Sequence, residues 1–407
     1  MNKYFRSLKS KYQQIPYEEG QLAIFQCHWG QMKLLYSEIE FLTIVSKYIS
    51  LDGYTVVYVG AAPCMHLTIV LKMFPECKWI LVDPSKFAVK ENDKVKIIND
   101  YFTYDTVKLI KNIVKSSKIL FISDMRREVN EKEIWIDMIN QEKWGILLDS
   151  EFIMLKLRFP FTNIESGTLN FEYNIDDIND KIVITNNITD KKNKLYLMGK
   201  IFLQIFPRAR STETRLITSK IRYFNDRLKH RQPDINNDKY LLKYYDSIKY
   251  ESQLNYFNLI DRTKKYKYKN SELMKKYILG FDDSYDCVGM YYILFKYMKQ
   301  KHLENENIFK MLFDIYKFMN SLSRKNIITC QVQTNVNRLK RDNKIVMKLM
   351  DDKKDFYEKQ LKILDQSIES KENQIKIYNN AVVISDHKVI VRITNSKMNI
   401  YPKLLII

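Results

Sequence analysis

The sequence is short of glycine, proline and cysteine, with 9, 8 and 5 of them in a chain of 407 residues. Five cysteines make no disulfide framework, so the chain reads as one suited to a reducing compartment. So little glycine argues against a dinucleotide fingerprint of the G-x-G-x-x-G type, and with it against NAD(P). No apolar run approaches the roughly 18 residues of a membrane span. The N-terminus, MNKYFRSLKS, lacks the apolar stretch of a secretory signal. The histidines, His28, His66, His230, His302 and His387, are too scattered to suggest a metal cluster. Acid is also in deficit: 48 Asp and Glu face 67 Lys and Arg, a formal net charge of +19. With 28 Tyr and 21 Phe, that balance favours a polyanionic partner, nucleic acid first. An apolar fraction of 45% is ample for a packed core.

Three stretches follow one another. Residues 1–30 form a basic, aromatic lead that includes Tyr12 and Tyr17. Residues 31–300 alternate helix-like and strand-like signals, and residues 301–407 carry long polar helical runs before a short alternating tail. Gln31–Ile49 has helical spacing. Apolar runs at Thr55–Val59, Trp79–Val82, Lys96–Asn99, Ile119–Ile122 and Phe152–Phe159 read as strands, separated by segments long enough for crossover helices. Continuous runs of this kind are typical of buried parallel strands, so the expected fold is α/β, a doubly wound sheet with helices on both faces. Lys194–Phe206 and Arg215–Arg222 read as an antiparallel pair finishing the sheet. In the tail, Ile308–Phe318 reads as a core helix, 336–378 as one long helix, and Val382–Ile384, Val389–Ile393 and Met398–Ile400 as a small β-meander.

In such sheets ligands sit beyond the carboxyl ends of the strands, where strand order reverses. The first run ends in Gly60-Ala61-Ala62-Pro63-Cys64, small residues that let backbone approach a ligand. The second ends in Asp83, spaced from that turn as an acid that accepts ribose hydroxyls. The fourth ends near Asp124. Each feature alone is commonly a turn or a helix cap; together they favour a nucleotide-containing ligand. S-adenosylmethionine fits better than a dinucleotide, since it has the ribose and no pyrophosphate.

Two lysines stand in unusual places. Lys33 lies in the first turn of a helix, where a cation opposes the dipole. Lys156 interrupts the apolar strand Phe152–Phe159, which is costly unless it is paired or at a mouth. A lysine whose pKa is lowered by burial and a second ammonium can act as a general base. Two lysines with two acids can therefore take the proton of a sugar hydroxyl.

Several blocks together resemble the poxvirus-type cap-specific mRNA (nucleoside-2′-O-)-methyltransferase and poly(A) polymerase regulatory subunit family of large DNA viruses. They are Gly30–Leu35 with Glu38 and Phe41-Leu42, Val56–Pro63 with His66, Trp79–Asp83, Ile122–Arg126, Leu155–Arg158 with Pro160-Phe161, and Ser211–Leu216. The resemblance covers residues from about 16 to 300. It implies a Rossmann-like sheet methylating the ribose 2′-hydroxyl of the first transcribed nucleotide of capped mRNA. It implies a tetrad of Lys33, Asp124, Lys156 and Glu213 with Lys156 as base, and S-adenosylmethionine held by Gln31, Gly60, Ala61, Ala62, Pro63 and Asp83. A cap pocket would use Phe161, Glu251 and Asn163, with an opposing ring from Tyr17 or Tyr12. The implied partners are capped mRNA and a viral poly(A) polymerase catalytic subunit, the implied setting the host cytoplasm, and no metal or membrane is implied. The sequence departs from the family pattern at Cys64, where a Gly is usual, at Asn163, where an acid is usual, and at Arg210, where the poxvirus protein has an aromatic. The resemblance does not reach the tail, which reads as an interaction, homo-oligomerisation or bracing extension.

Overall fold

The computed structural model describes residues 3–17, 30–115, 118–128, 130–160, 170–174, 183–187, 193–208, 210–220, 223, 240–268, 271–278, 281–303, 307–325, 381–385, 389–394 and 397–398. The first half runs α1 (Gly30–Val45), β1 (Thr55–Val59), α2 (Leu67–Met73), β2 (Lys78–Val82), β3 (Val95–Ile98), α3 (Tyr104–Val114), β4 (Ile119–Ser123), α4 (Glu131–Leu147) and β5 (Phe152–Leu157). These strands pair in parallel in the order β3-β2-β1-β4-β5. Every residue of β1, β4 and β5 is buried. α1 packs with α2, and α3 packs with α4. Right-handed crossovers set these pairs on opposite faces, so the strands need no polar alternation. Local chemistry starts the helices: Thr103 and Thr106 form a capping box on α3, and Asn130 accepts the Glu133 N–H at α4.

The second half continues with β6 (Asn170–Asn174), β7 (Val183–Asn187), β8 (Asn193–Leu197), β9 (Lys200–Phe202), β10 (Thr214–Ser219), β11 (Tyr240–Asp246), α5 (Ser247–Leu259), α6 (Ser271–Tyr277), α7 (Tyr285–Gln300), α8 (Ile308–Lys325), β12 (Ala381–Ser385), β13 (Val389–Thr394) and β14 (Lys397–Met398). β10 adds antiparallel to β5, and β9 to β10, which completes a seven-stranded sheet. The stretch Lys194–Phe206 does not finish this sheet as one strand. It divides at Met198-Gly199: β9 joins the main sheet, and β8 joins a second sheet ordered β14-β13-β12-β11-β8. The reason is a close approach. A Cβ on Gly199 would sit 2.6 Å from the Ile217 carbonyl oxygen. The tail strands are thus not a free meander, because β12 pairs in parallel with β11. The long helix expected over 336–378 lies outside the described residues.

The N-terminal lead is tied into the body. Leu8 N–H donates to the Ile201 carbonyl at 2.9 Å, Ile15 N–H to that of Ser252 at 3.0 Å, and Asn255 Nδ2 to that of Pro16 at 2.8 Å. Buried Arg6 grips Glu40 of α1 through two nitrogens, at 2.7 and 3.1 Å, and donates to Tyr285 Oη at 2.8 Å. No helix among the described residues is long and apolar enough to cross a membrane.

Candidate active site

The strand order reverses between β1 and β4, and the crevice beyond their carboxyl ends is the expected ligand position. Gly60 closes β1 with φ +71°, and a Cβ there would meet the Met125 backbone at 2.7 Å. Only glycine lets the loops after β1 and β4 come this close. Asp83, just past β2, accepts the Ala62 N–H at 3.2 Å and the Ser85 N–H at 2.8 Å. Its carboxylate therefore shapes the Gly60–Pro63 loop, and its further lone pairs suit ribose hydroxyls. Cys64 adopts φ +55° and is fully buried. It takes the conformation a glycine takes freely, at a cost of about 1–2 kcal/mol. Behind the loop, His66 Nδ1 lies 2.8 Å from Gln31 Oε1 and Nε2 lies 2.7 Å from Glu38 Oε1. This relay orients the Gln31 side chain from a buried position. The close-packed loop and the acid at the β2 end fit an adenosine-bearing group such as S-adenosylmethionine.

Beside this loop the two lysines and two acids come together. Lys33 Nζ donates to Glu213 Oε1 at 2.7 Å. Lys156 Nζ lies 3.1 Å from Asp124 Oδ1 and 3.7 Å from Glu213 Oε2, and donates to the Asp124 carbonyl at 3.0 Å. Four elements deliver these side chains: the first turn of α1, the end of β4, the end of β5 and the start of β10. Exposure of the four side chains ranges only from 10% to 18%. Lys156, placed by its break in an apolar strand, sits where strand meets crevice.

A fifth member went unassigned in the sequence. Arg215 pairs across the strands with Lys156, donates through a guanidinium nitrogen to Asp124 Oδ1, and lies 3.7 Å from Glu213 Oε1. Its side chain is 3% exposed. The available signal was the one that marked Lys156, a charge inside an apolar strand. Gln204 Nε2 adds a donor to Glu213 at 3.2 Å.

The electrostatics follow from burial and charge count. Desolvation lowers the Lys156 pKa; Asp124 and Glu213 oppose this, and Lys33 and Arg215 add to it. Burial works to raise the Asp124 carboxyl, yet Lys156, Arg215 and Lys33 outweigh it and hold the group below its ordinary range. Glu213, likewise desolvated, is held well below by Lys156, Lys33 and Arg215. Three cations against two anions leave one positive charge in excess. Loss of a proton from Lys156 brings the cluster to balance. The arrangement can hold one neutral amine among fixed charges, ready to accept a proton.

The residues expected at a cap pocket are only partly assembled. Phe161 and Asn163 lie outside the described residues. Tyr17 carries the Arg210 guanidinium 4.8 Å above its ring. Tyr12 is turned elsewhere, with its hydroxyl donating to Asp261 and its ring against Tyr256 at 5.7 Å. Glu251 is buried in α5, one residue past its first turn. Its neighbour Tyr250 reaches the Leu157 and Thr212 carbonyls at 3.0 and 2.7 Å, which sets that turn beside the ends of β5 and β10. The basic stretch from Arg262 onward is partly interior: Arg262 is buried on Asp286 at 2.9 Å, and Tyr266 is buried.

Residues 1–176 match the family described as Poly A polymerase regulatory subunit. This is the family that the sequence blocks resemble. The cap-specific mRNA (nucleoside-2′-O-)-methyltransferases of Myxoma virus strains Lausanne and Uriarra are each 30% identical over 115 residues, covering 26% of this chain. The chain spans a third of the length of these curated relatives, 33%. Among solved structures, bluetongue virus VP4, described as a multifunctional RNA-capping production line, aligns over 62% of this chain and 33% of its own at 16% identity, with a TM-score of 0.37. A putative ribosomal RNA methyltransferase from Plasmodium falciparum aligns over 31% of this chain and 79% of its own at 14% identity, with a TM-score of 0.25.

Proposed function

We propose that this chain methylates the ribose 2′-oxygen of the first transcribed nucleotide of capped RNA, using S-adenosylmethionine. The observation that carries the reading is the buried Lys33–Glu213–Lys156–Asp124 network at the carboxyl ends of the strands. Gln31, the Gly60–Pro63 loop and Asp83 would hold the cofactor, which supplies an electrophilic methyl group when bound. Lys156, as neutral amine, takes the proton of the 2′-hydroxyl. Asp124 fixes that nitrogen through two contacts, and Glu213 links it to Lys33. Arg215 keeps both carboxylates charged and adds a positive field that favours the neutral amine. The proton then leaves Lys156 for solvent, and the cycle closes. Tyr17, Phe161, Asn163 and Glu251 are the proposed cap contacts. The test is transfer of labelled methyl to cap-0 RNA. Lys156→Ala should lose about 10²–10⁴-fold in rate; an undiminished rate removes the assigned base.

We also propose a regulatory role beside a poly(A) polymerase. The match of residues 1–176 to that regulatory family and the net charge of +19 favour it. Co-purification with a polymerase and longer tails made in the presence of this chain are the expected results. Tails of unchanged length refute the role.

A further inference from the structure

A second group of cations lies at the opposite end of α1. A cleft of about 320 Å³ opens between the C-terminal half of α1, the start of β5, the Lys200 end of β9, the Ser219 end of β10, and α7. Lys47, Lys200 and Lys296 line it, and all three are exposed. Among the described residues, no carboxylate stands within ion-pair distance of any of them. Glu40, the acid on the wall, gives both oxygens to Arg6. Desolvation holds the Lys296 ammonium below its ordinary pKa; Glu40 opposes this, while Arg6, Lys47 and Lys200 reinforce it. Mutual repulsion of this kind is relieved by an incoming anion.

The cleft also has an aromatic wall. Tyr48, 49% exposed, packs on Phe152 with centroids 5.7 Å apart, and Phe152 packs on Tyr223 at 4.6 Å, both at 36°. An exposed tyrosine face beside ammonium groups suits a base next to its phosphate. Thr43 lines the same cleft, is 2% exposed, and its hydroxyl has no hydrogen-bond partner. A buried hydroxyl left so is costly, and a polar ligand atom recovers that cost.

We propose that this cleft binds a nucleoside phosphate, with the base against Tyr48 and the phosphate among Lys47, Lys200 and Lys296. Two sources share that chemistry: a free nucleotide, or one unit of an RNA strand. The assignment goes beyond the methyl-transfer reading and does not depend on it, because no tetrad residue lines the cleft.

The test is fluorescence anisotropy of a labelled, uncapped single-stranded oligoribonucleotide with the full chain over a salt series. Combined Lys47→Ala, Lys200→Ala and Lys296→Ala should weaken binding at least tenfold at low salt. It should also flatten the salt dependence by about 0.7, the contribution of one lost phosphate contact on a single strand. Tyr48→Ala should weaken binding about fivefold or more with the salt slope intact, and Tyr48→Phe should bind like the parent. Lys108→Ala, at an exposed lysine of α3 outside the cleft, must keep this binding, which separates the cleft from general surface charge. Competition by AMP or UMP that the triple variant abolishes assigns the free nucleotide; displacement by oligonucleotide alone assigns the strand. Should the triple variant fail to fold, Lys47→Ala alone must weaken low-salt binding and flatten the slope in the same direction, by less than about 0.7. Affinity and slope unchanged in the lysine and tyrosine variants overturn the proposal, as does a loss confined to binding of a protein partner.

Discussion

Replacing Glu213 with Gln should move the acid limb of the pH–rate profile to lower pH. The Lys156 nitrogen lies 3.7 Å from Glu213 Oε2. At an effective dielectric of about 20, opposite charges at that distance attract by ~4.5 kcal/mol. Complete loss of that attraction would drop the Lys156 pKa by about three units, at ~1.36 kcal/mol each. Lys33 at 2.7 Å and Arg215 at 3.7 Å share the same carboxylate. The expected shift is therefore smaller, about one to two units. The sign follows from the active form. Lysine works as a neutral amine, so rate rises with pH through its pKa. Removing an anion favours the neutral form and moves that rise downward. Lys33→Met removes a cation and must move it upward. The assay is the initial rate of labelled methyl transfer to cap-0 RNA at saturating substrates over a pH series. Limbs that stay put in both variants, or that move in the same direction, refute the charge reasoning.

Gly60→Ala should lower the thermal unfolding midpoint by a few degrees and weaken S-adenosylmethionine binding, since φ +71° and a 2.7 Å contact with the Met125 backbone leave no room for a Cβ. Differential scanning calorimetry and titration calorimetry read the two effects. Arg6→Ala leaves Glu40 buried without its cation and should cost about 3–5 kcal/mol of stability, measured by denaturant titration. Asp124 and Glu213, desolvated yet held low by Lys156 and its neighbouring cations, contribute stability that is fully present above the unfolded carboxylate pKa of about 4 and is lost as pH falls through their lower folded values. The unfolding midpoint should therefore drop steeply below about pH 4, and less so in the Asp124→Asn, Glu213→Gln double variant.

The parallel half of the sheet was legible because burial on two faces writes strands as unbroken apolar runs, as in Thr55–Val59 and Ile119–Ser123. Lys156 was legible for the complementary reason, a charge where apolarity is required. Arg215 carried the same mark and went unassigned, since its meaning depends on the cross-strand pairing with Lys156. The division of Lys194–Phe206 between two sheets rests on the approach of Gly199 to Ile217, a contact with no local trace. β11 was missed because its partners β8 and β12 are remote in sequence. The relay of Gln31, His66 and Glu38 joins side chains whose spacing announces nothing until α1 and the β1 loop are packed together.

One helix holds Lys33 in its first turn and reaches its last residue, Val45, just ahead of Lys47. A helix is a stiff rod with a rise of ~1.5 Å per residue, so the two lysines stand about 20 Å apart along it. That rod is a gauge. A strand engaged at both places must bridge a set length, roughly six stacked units at ~3.4 Å each. The distance between a transcript's leading sugar and its downstream grip would then be cut to measure by the helix itself.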